Sequence, residues 1–292
     1  MRRCHIATEL SLCHLVASSF KLYIDPMKRF LPPFKKHPTV SVLRLQGTIA
    51  ASSRRGMLND AALGGMIERA FRKGKPRAVA LILNSPGGSP AQSSLIASRI
   101  RRLADEKDIP VYAFVEDVAA SGGYWLATAA DEIYVDATSI VGSIGVISAG
   151  FGFQDLIARH GIERRVHTSG TSKSKLDPFQ PEKPEDLASL AKWQDQLHQT
   201  FIEQVKSRRG DKLSDDPDLF TGEIWIGANA VEQGLVDGIA HLEPKMKELF
   251  GDDVRLRRYG VQRSLFQRLS GSMFGAMMHE VEERAQWARY GL

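Results

Sequence analysis

Ala78-Val-Ala-Leu-Ile-Leu83 runs without a polar residue into the turn Asn84-Ser85-Pro86-Gly87-Gly88. Val111-Tyr-Ala-Phe-Val115 runs in the same way toward Ala119-Ala120-Ser121-Gly122-Gly123-Tyr124. A strand covered on both faces shows no polar alternation, so both runs read as parallel strands inside a sheet. Working outward, residues 40–50 alternate apolar and polar and predict a further strand. Helices are predicted from Asn59 to about Arg72, from the Pro90 turn to about Lys107, and directly after Gly123. Beyond these, strands are predicted at Glu132–Val135, Gly145–Ser148 and Arg165–Thr168. Helices are predicted at Phe153–His160, 184–209 and Ile226–Gln233, with a closing strand or turn at Leu235–Ala240. Strands alternating with helices imply an α/β fold with a mainly parallel sheet and right-handed crossovers.

Composition narrows the function classes. The chain has 292 residues, 43% hydrophobic and 25% charged, which is globular and large enough to bury a core without staples. Its two cysteines, Cys4 and Cys13, argue against a disulfide framework and a cysteine-based metal site. A net charge of +5 is mild and does not point to nucleic acid. The most apolar early stretch, Ile6–Phe20, carries Glu9 and His14 and falls short of the roughly 20 residues a membrane span requires.

Both glycine-rich turns sit where ligands bind in open α/β sheets, at the carboxyl ends of strands. Paired glycines let the backbone turn tightly and present N–H groups to a developing oxyanion. Ser121 lies between small residues ahead of a helix, which leaves its hydroxyl sterically bare. Such a nucleophile needs a base, most often histidine. No histidine lies between Ser121 and Arg159, and His160 and His167 are the nearest that follow. A lysine serves instead when burial or a neighbouring cation lowers its pKa. The stretch Ser169-Gly170-Thr171-Ser172-Lys173-Ser174-Lys175 supplies two, and spacing alone does not choose between them.

Taken in order, Ser-Pro-Gly-Gly, Ala-Ser-Gly-Gly-Tyr, Val-Gly-Ser-Ile-Gly-Val, Ser-Gly-Thr-Ser-Lys, Asp-Pro-Phe and Ala-Val-Glu-Gln-Gly-Leu-Val-Asp-Gly-Ile resemble the signal peptide peptidase A family (the SppA/SohB group) over about residues 40–245. The resemblance implies a Clp/crotonase-like fold and a serine peptidase with a Ser-Lys dyad. Ser121 then matches the nucleophile and Lys173 the general base. Ser143 matches the serine that hydrogen-bonds the lysine amine. Gly88 and Gly122 match the backbone oxyanion donors. Lys175, two residues on, is the alternative base. It further implies peptide substrates such as cleaved signal peptides, no metal or organic cofactor, and a ring-like homo-oligomer in which serine and lysine come from neighbouring subunits. A crotonase-type acyl-CoA enzyme and a non-catalytic oligomeric scaffold would share the fold, but neither needs Ser121, Ser143 and Lys173 together.

The expected organisation is a basic, Pro-rich tail over 1–38, a peptidase domain over 39–250 and a C-terminal amphipathic helical extension over 251–292. Met27 is an alternative start. In the extension Leu265, Leu269, Met273, Met277 and Val281 recur every fourth residue. The basic residues Lys28, Arg29, Lys35 and Lys36 and this helix suit peripheral contact with an anionic membrane surface. The expected location is cytoplasmic, with such contact at the inner membrane, and with no nucleic-acid partner.

Overall fold

The computed structural model describes residues 37–52, 57–170, 172–260 and 287–291. The chain divides into two units, Met1–His37 and Pro38–Leu292, and every element below belongs to the second. The expected tail and most of the expected C-terminal helix lie outside the described residues.

Among the described residues, eight strands form one sheet: β1 (Thr39–Gln46), β2 (Ala78–Ser85), β3 (Val111–Ala120), β4 (Glu132–Val135), β5 (Ile140–Gly142), β6 (Ile224–Ile226), β7 (Gly238–Ile239) and β8 (Arg255–Tyr259). The helices are α1 (Asp60–Arg72), α2 (Pro90–Lys107), α3 (Gly122–Ala127), α4 (Gln154–Arg159), α5 (Pro184–Arg209), α6 (Gly227–Glu232) and α7 (Leu242–Phe250). The main path is β6-β5-β3-β2-β1-β8, with β4 beside β3 and β7 beside β4. Every pairing is parallel except β5 with β6. This is the mainly parallel α/β architecture, with flanking helices, that the two apolar runs predict.

Local sequence explains where the helices start and what they cover. Asn59 caps α1 by accepting the Ala62 N–H at 2.8 Å. Leu63, Met66, Ile67, Ala70 and Phe71 then fall on one buried stripe. Ser89 precedes α2, and Pro90 stands at a first-turn position, where its missing N–H has no helical partner to lose. Ile96, Ile100, Leu103 and Ala104 face the sheet. These two helices and α3 share one large apolar cluster with β1, β2 and β3. The opposite face carries a smaller cluster, in which Val42, Ile82 and Phe114 meet Met246 of α7. All eight residues of β2 are buried, so the absence of alternation at 78–83 reports its central place.

One irregularity positions the site. The first half of β3, Tyr112–Val115, pairs with β4, whereas Val118–Ala120 pair with β5. The sheet forks beside Glu116 and Asp117. The end of β3 therefore meets β5 and not β4, and Gly142 arrives next to Ser121.

Two predicted strands are absent. The strand expected at Gly145–Ser148 is realised earlier, as β5, because the chain turns out of the sheet at Ser143, where φ is 50°. Arg165–Thr168 alternates as a strand would, but all four residues are exposed and no ladder neighbours them. One element, β8, lies beyond the expected domain edge at residue 250. β8 pairs with β1 from Thr39 opposite Arg255 to Leu43 opposite Tyr259, so the sheet itself continues into the expected extension. Between Ile144 and Asp186 none of the described residues is buried. This stretch is an arm that leaves the body after β5 and returns as α5.

Candidate active site

The site forms where the β2 and β3 turns lie side by side. Ser121 follows β3 with φ 51° and ψ −122°, a backbone conformation that costs a non-glycine residue roughly 1–3 kcal/mol. Its N–H donates to the Gly142 carbonyl at 2.8 Å, and its own carbonyl accepts from Trp125 N–H at 3.0 Å. The serine is thus clamped from β5 and from α3. Its side chain is partly exposed and lines a cavity of about 710 Å3.

The glycines are there because nothing else fits. A Cβ on Gly88 would lie 2.0 Å from the Ile49 carbonyl oxygen, and its φ of +136° is foreign to other residues. That close approach is built by a short ladder: Ile49 N–H donates to Gly87 O and Ser89 N–H to Ile49 O, both at 2.8 Å. A Cβ on Gly122 would come within 3.4 Å of the Gly88 nitrogen, so the two backbone amides are neighbours. Gly122 opens α3, where an N–H has no carbonyl behind it in the helix. Two such amides beside a serine hydroxyl can hold the negative oxygen of a tetrahedral intermediate.

Ser143 lines the same cavity, its backbone N–H fixed on the Glu223 carbonyl at 2.7 Å. The structure thus brings Ser121, Ser143, Gly88 and Gly122 together. It does not bring Lys173 to them within one chain. Lys173 is exposed on the arm and does not line the cavity, and neither do His160 and His167, which are also exposed. Lys175 is engaged inside its own arm. Its Nζ donates to Ser189 Oγ at 2.6 Å and stands 6.0 Å from the Trp193 ring. Ser85, the serine of the first turn, is fully buried and donates to the Gly47 carbonyl, so its role is to hold the turn.

His198 of α5 is a cavity residue that sequence reasoning passes over. Its Nε2 lies 3.0 Å from the Ile144 carbonyl. Thr221 and Gly222, together with Arg289 and Tyr290, also line the cavity, the last two arriving from the far end of the chain. No local motif marks any of them, because each reaches the cavity through tertiary folding alone.

Behind α3 lies a polar support. Tyr124 Oη donates to Leu235 O at 2.7 Å, and burial pushes its hydroxyl pKa up, so it remains a donor. Arg209 donates through Nε to Gly234 O at 2.8 Å and through Nη1 to Asp237 at 2.7 Å. Burial pushes the Asp237 carboxyl up. Hydrogen bonds from Arg209, Lys212 and the Ile133 N–H together more than offset this and hold it below the usual carboxylate range. Among the described residues no cluster of three His, Cys, Asp or Glu side chains could hold a metal ion.

A family model described as Peptidase family S49 matches residues 104–251, just over half of the chain. The chain belongs to Peptidase family S49. This is the SppA/SohB group that the ordered motifs resemble, and a serine-type peptidase is the enzyme class that goes with it. Relatives are of two kinds. A protein named Na(+)/H(+) antiporter NhaA from Brucella abortus (strain 2308) is 46% identical over 286 residues, covering 91% of this chain and 39% of that protein. "Protease 4" of Haemophilus influenzae is 32% identical over 232 residues, covering 75% and 36% respectively. "Serine protease SPPA, chloroplastic" of Arabidopsis thaliana is 32% identical over 176 residues, covering 60% and 26%. The S49 chain therefore spans well under half the length of these relatives. Among the described residues no helix is long and apolar enough to cross a membrane. The antiporter name is that of a longer protein, of which the matched segment is 39%.

Proposed function

We propose that this S49 chain is a serine endopeptidase for short apolar peptides, cleaved signal peptides among them, and that it works through a Ser121–Lys173 dyad completed by a second copy of the chain. The observation that carries this reading is the clamped, left-handed Ser121 beside the paired amides of Gly88 and Gly122. In the reaction, the Lys173 amine of a neighbouring copy takes the Ser121 hydroxyl proton. Oγ attacks the scissile carbonyl carbon, and the two amides receive the oxyanion. The lysine ammonium then gives its proton to the leaving amine, and water releases the acyl group by the reverse sequence. Ser143 accepts a hydrogen bond from the lysine and orients it.

Two features support the sharing of sites. Lys173 is exposed and does not line its own chain's cavity. The arm that bears it also exposes apolar side chains, Phe151 at 81% and Ile147 at 65%. Apolar surface of that kind is ordinarily covered by a partner, and here the partner is proposed to be a second copy within a closed ring. The apolar residues Ile49, Met57 and Val146 of the cavity suit apolar peptide side chains. A cytoplasmic location with peripheral membrane contact is proposed with it. Its support is that the 46% identical segment is part of a protein named for membrane transport.

The test is labelling with a fluorophosphonate probe followed by peptide mapping. Wild type is expected to carry the label on Ser121, and Ser121→Ala to carry none. A wild-type chain that hydrolyses no apolar peptide and takes no label would overturn the reading, and would return the acyl-CoA enzyme and the scaffold as alternatives.

A further inference from the structure

The arm leaves and re-enters the body at two points that one side chain joins. At the exit, Ser143 adopts φ 50°, with its N–H on Glu223 O at 2.7 Å, and the next residue, Ile144, is fully buried. At the return, α5 becomes seated on the body only from Phe201 onward. Phe201 stacks on Trp125 with ring centroids 5.0 Å apart, and Val205 and Arg209 follow on the same face. His198 stands one turn before Phe201 on that face. Its Nε2 reaches the Ile144 carbonyl at 3.0 Å across 54 residues of sequence. A carbonyl oxygen only accepts, so Nε2 carries the hydrogen in this contact.

We propose that His198 is a positioning residue that closes the neck of the arm. By fixing the exit segment at Ile144 to the returning helix, it sets the direction in which the arm presents Lys173 to the neighbouring copy. It also holds the turn that carries Ser143. This inference rests on the Ser121–Lys173 reading and deepens it. The ring does not touch the reacting atoms. It acts through Ser143 and through the arm.

The experiment compares His198→Ala and His198→Gln in the full chain, because the Gln amide nitrogen can replace Nε2 as donor. Hydrolysis of an internally quenched Leu/Ala peptide and deuterium exchange of peptides spanning residues 140–148 are followed together. His198→Ala is expected to lower kcat roughly tenfold to a hundredfold with KM little changed, the scale of a displaced catalytic group. It is also expected to speed exchange at the neck. His198→Gln is expected to restore both. Two outcomes overturn the proposal. One is unchanged kcat and exchange in the alanine variant. The other is loss of activity in both variants with the neck still protected, which would make the ring itself a participant in the chemistry. If the alanine variant does not fold, the glutamine variant still decides: an intact neck with lost activity overturns the proposal, and near-wild-type values for both support it. Because exchange is read without turnover, a wild type that is inactive and unlabelled by fluorophosphonate defeats the dyad reading separately.

Discussion

The stretch from Ala78 to Ala127 and the stretch from Gly145 to Glu185 are of similar length and opposite character. In the first, β2 is buried throughout and every residue of α3 is buried. In the second, none of the described residues is buried, and α4 buries nothing. The first carries Ser121 and the Gly88 and Gly122 amides proposed to hold the oxyanion, and the second carries Lys173, the proposed base. The comparison separates two jobs. Ser121, the proposed nucleophile, has a backbone held in a costly conformation, which a packed interior enforces. In the proposed dyad the base, Lys173, is to reach another copy, which an arm outside the interior allows. The arm is nonetheless internally organised. Phe153 and Phe179 rings lie 5.5 Å apart, Arg164 sits 4.7 Å over Phe179, and Asp186 accepts the Leu176 N–H at 3.2 Å.

The largest expected effect tests whether the two regions cooperate across copies. Ser121→Ala and Lys173→Ala should each lower kcat by about a thousandfold or more, since members of one catalytic unit fail together. Mixing the two inactive chains should restore part of the activity. No recovery, together with a fully active monomer by light scattering, would place both residues in one chain. Next, Gly88→Ala should cost about a hundredfold to a thousandfold in kcat, the scale of a lost oxyanion donor, because its Cβ would lie 2.0 Å from the Ile49 oxygen. Wild-type turnover in that variant would show that the amide is not used. Third, Phe71→Ala in the body should cost about 3–5 kcal/mol in urea unfolding, whereas Phe179→Ala in the arm should cost less than about 1 kcal/mol. Equal losses would erase the distinction between body and arm.

The smallest effect is one of pH. The Asp237 carboxyl lies below its ordinary range when folded. Its contribution is therefore complete above the unfolded value of about 3.9 and is lost as pH falls through the lower folded value. Asp237→Asn should cost about 1–3 kcal/mol near neutral pH, the scale of a weakened buried charge-assisted bond. Its thermal midpoint should fall less than that of wild type on going below about pH 4. Parallel acid profiles for the two proteins would remove Asp237 from the account.

Much of the body is legible in the sequence, and the reason is burial. The unbroken runs at 78–83 and 111–115 give the central strands, and Asn59 and Ser89–Pro90 give two helix starts within a residue. The arm is less legible. Arg165–Thr168 alternates like a strand yet has no neighbour to pair with, and Gly145–Ser148 is apolar because it lines a cavity and leads into an exposed surface. β8 reads as a charged segment, Arg-Leu-Arg-Arg-Tyr, since an edge strand needs few apolar residues. The two glycine-rich turns mark Gly88, Ser121 and Gly122 among the five proposed site residues. Ser143 and Lys173 are assigned only by the family resemblance, and His198 is marked by nothing local, because its partner lies 54 residues away.

β1 is flanked by β2 on one side and by β8 on the other, and these come from opposite ends of the unit. On the ribosome, β1, β2 and β3 can associate as soon as about residue 120 has emerged. The outer edge of β1 then stays open until residues 255–259 are made. For more than a hundred codons the nascent chain therefore presents an unpaired strand of Val-Ser-Val-Leu, an invitation to chaperones or to another nascent copy. Arg255, Arg257 and Arg258 arrive last. They close that edge with a row of cations that discourages any further strand from joining.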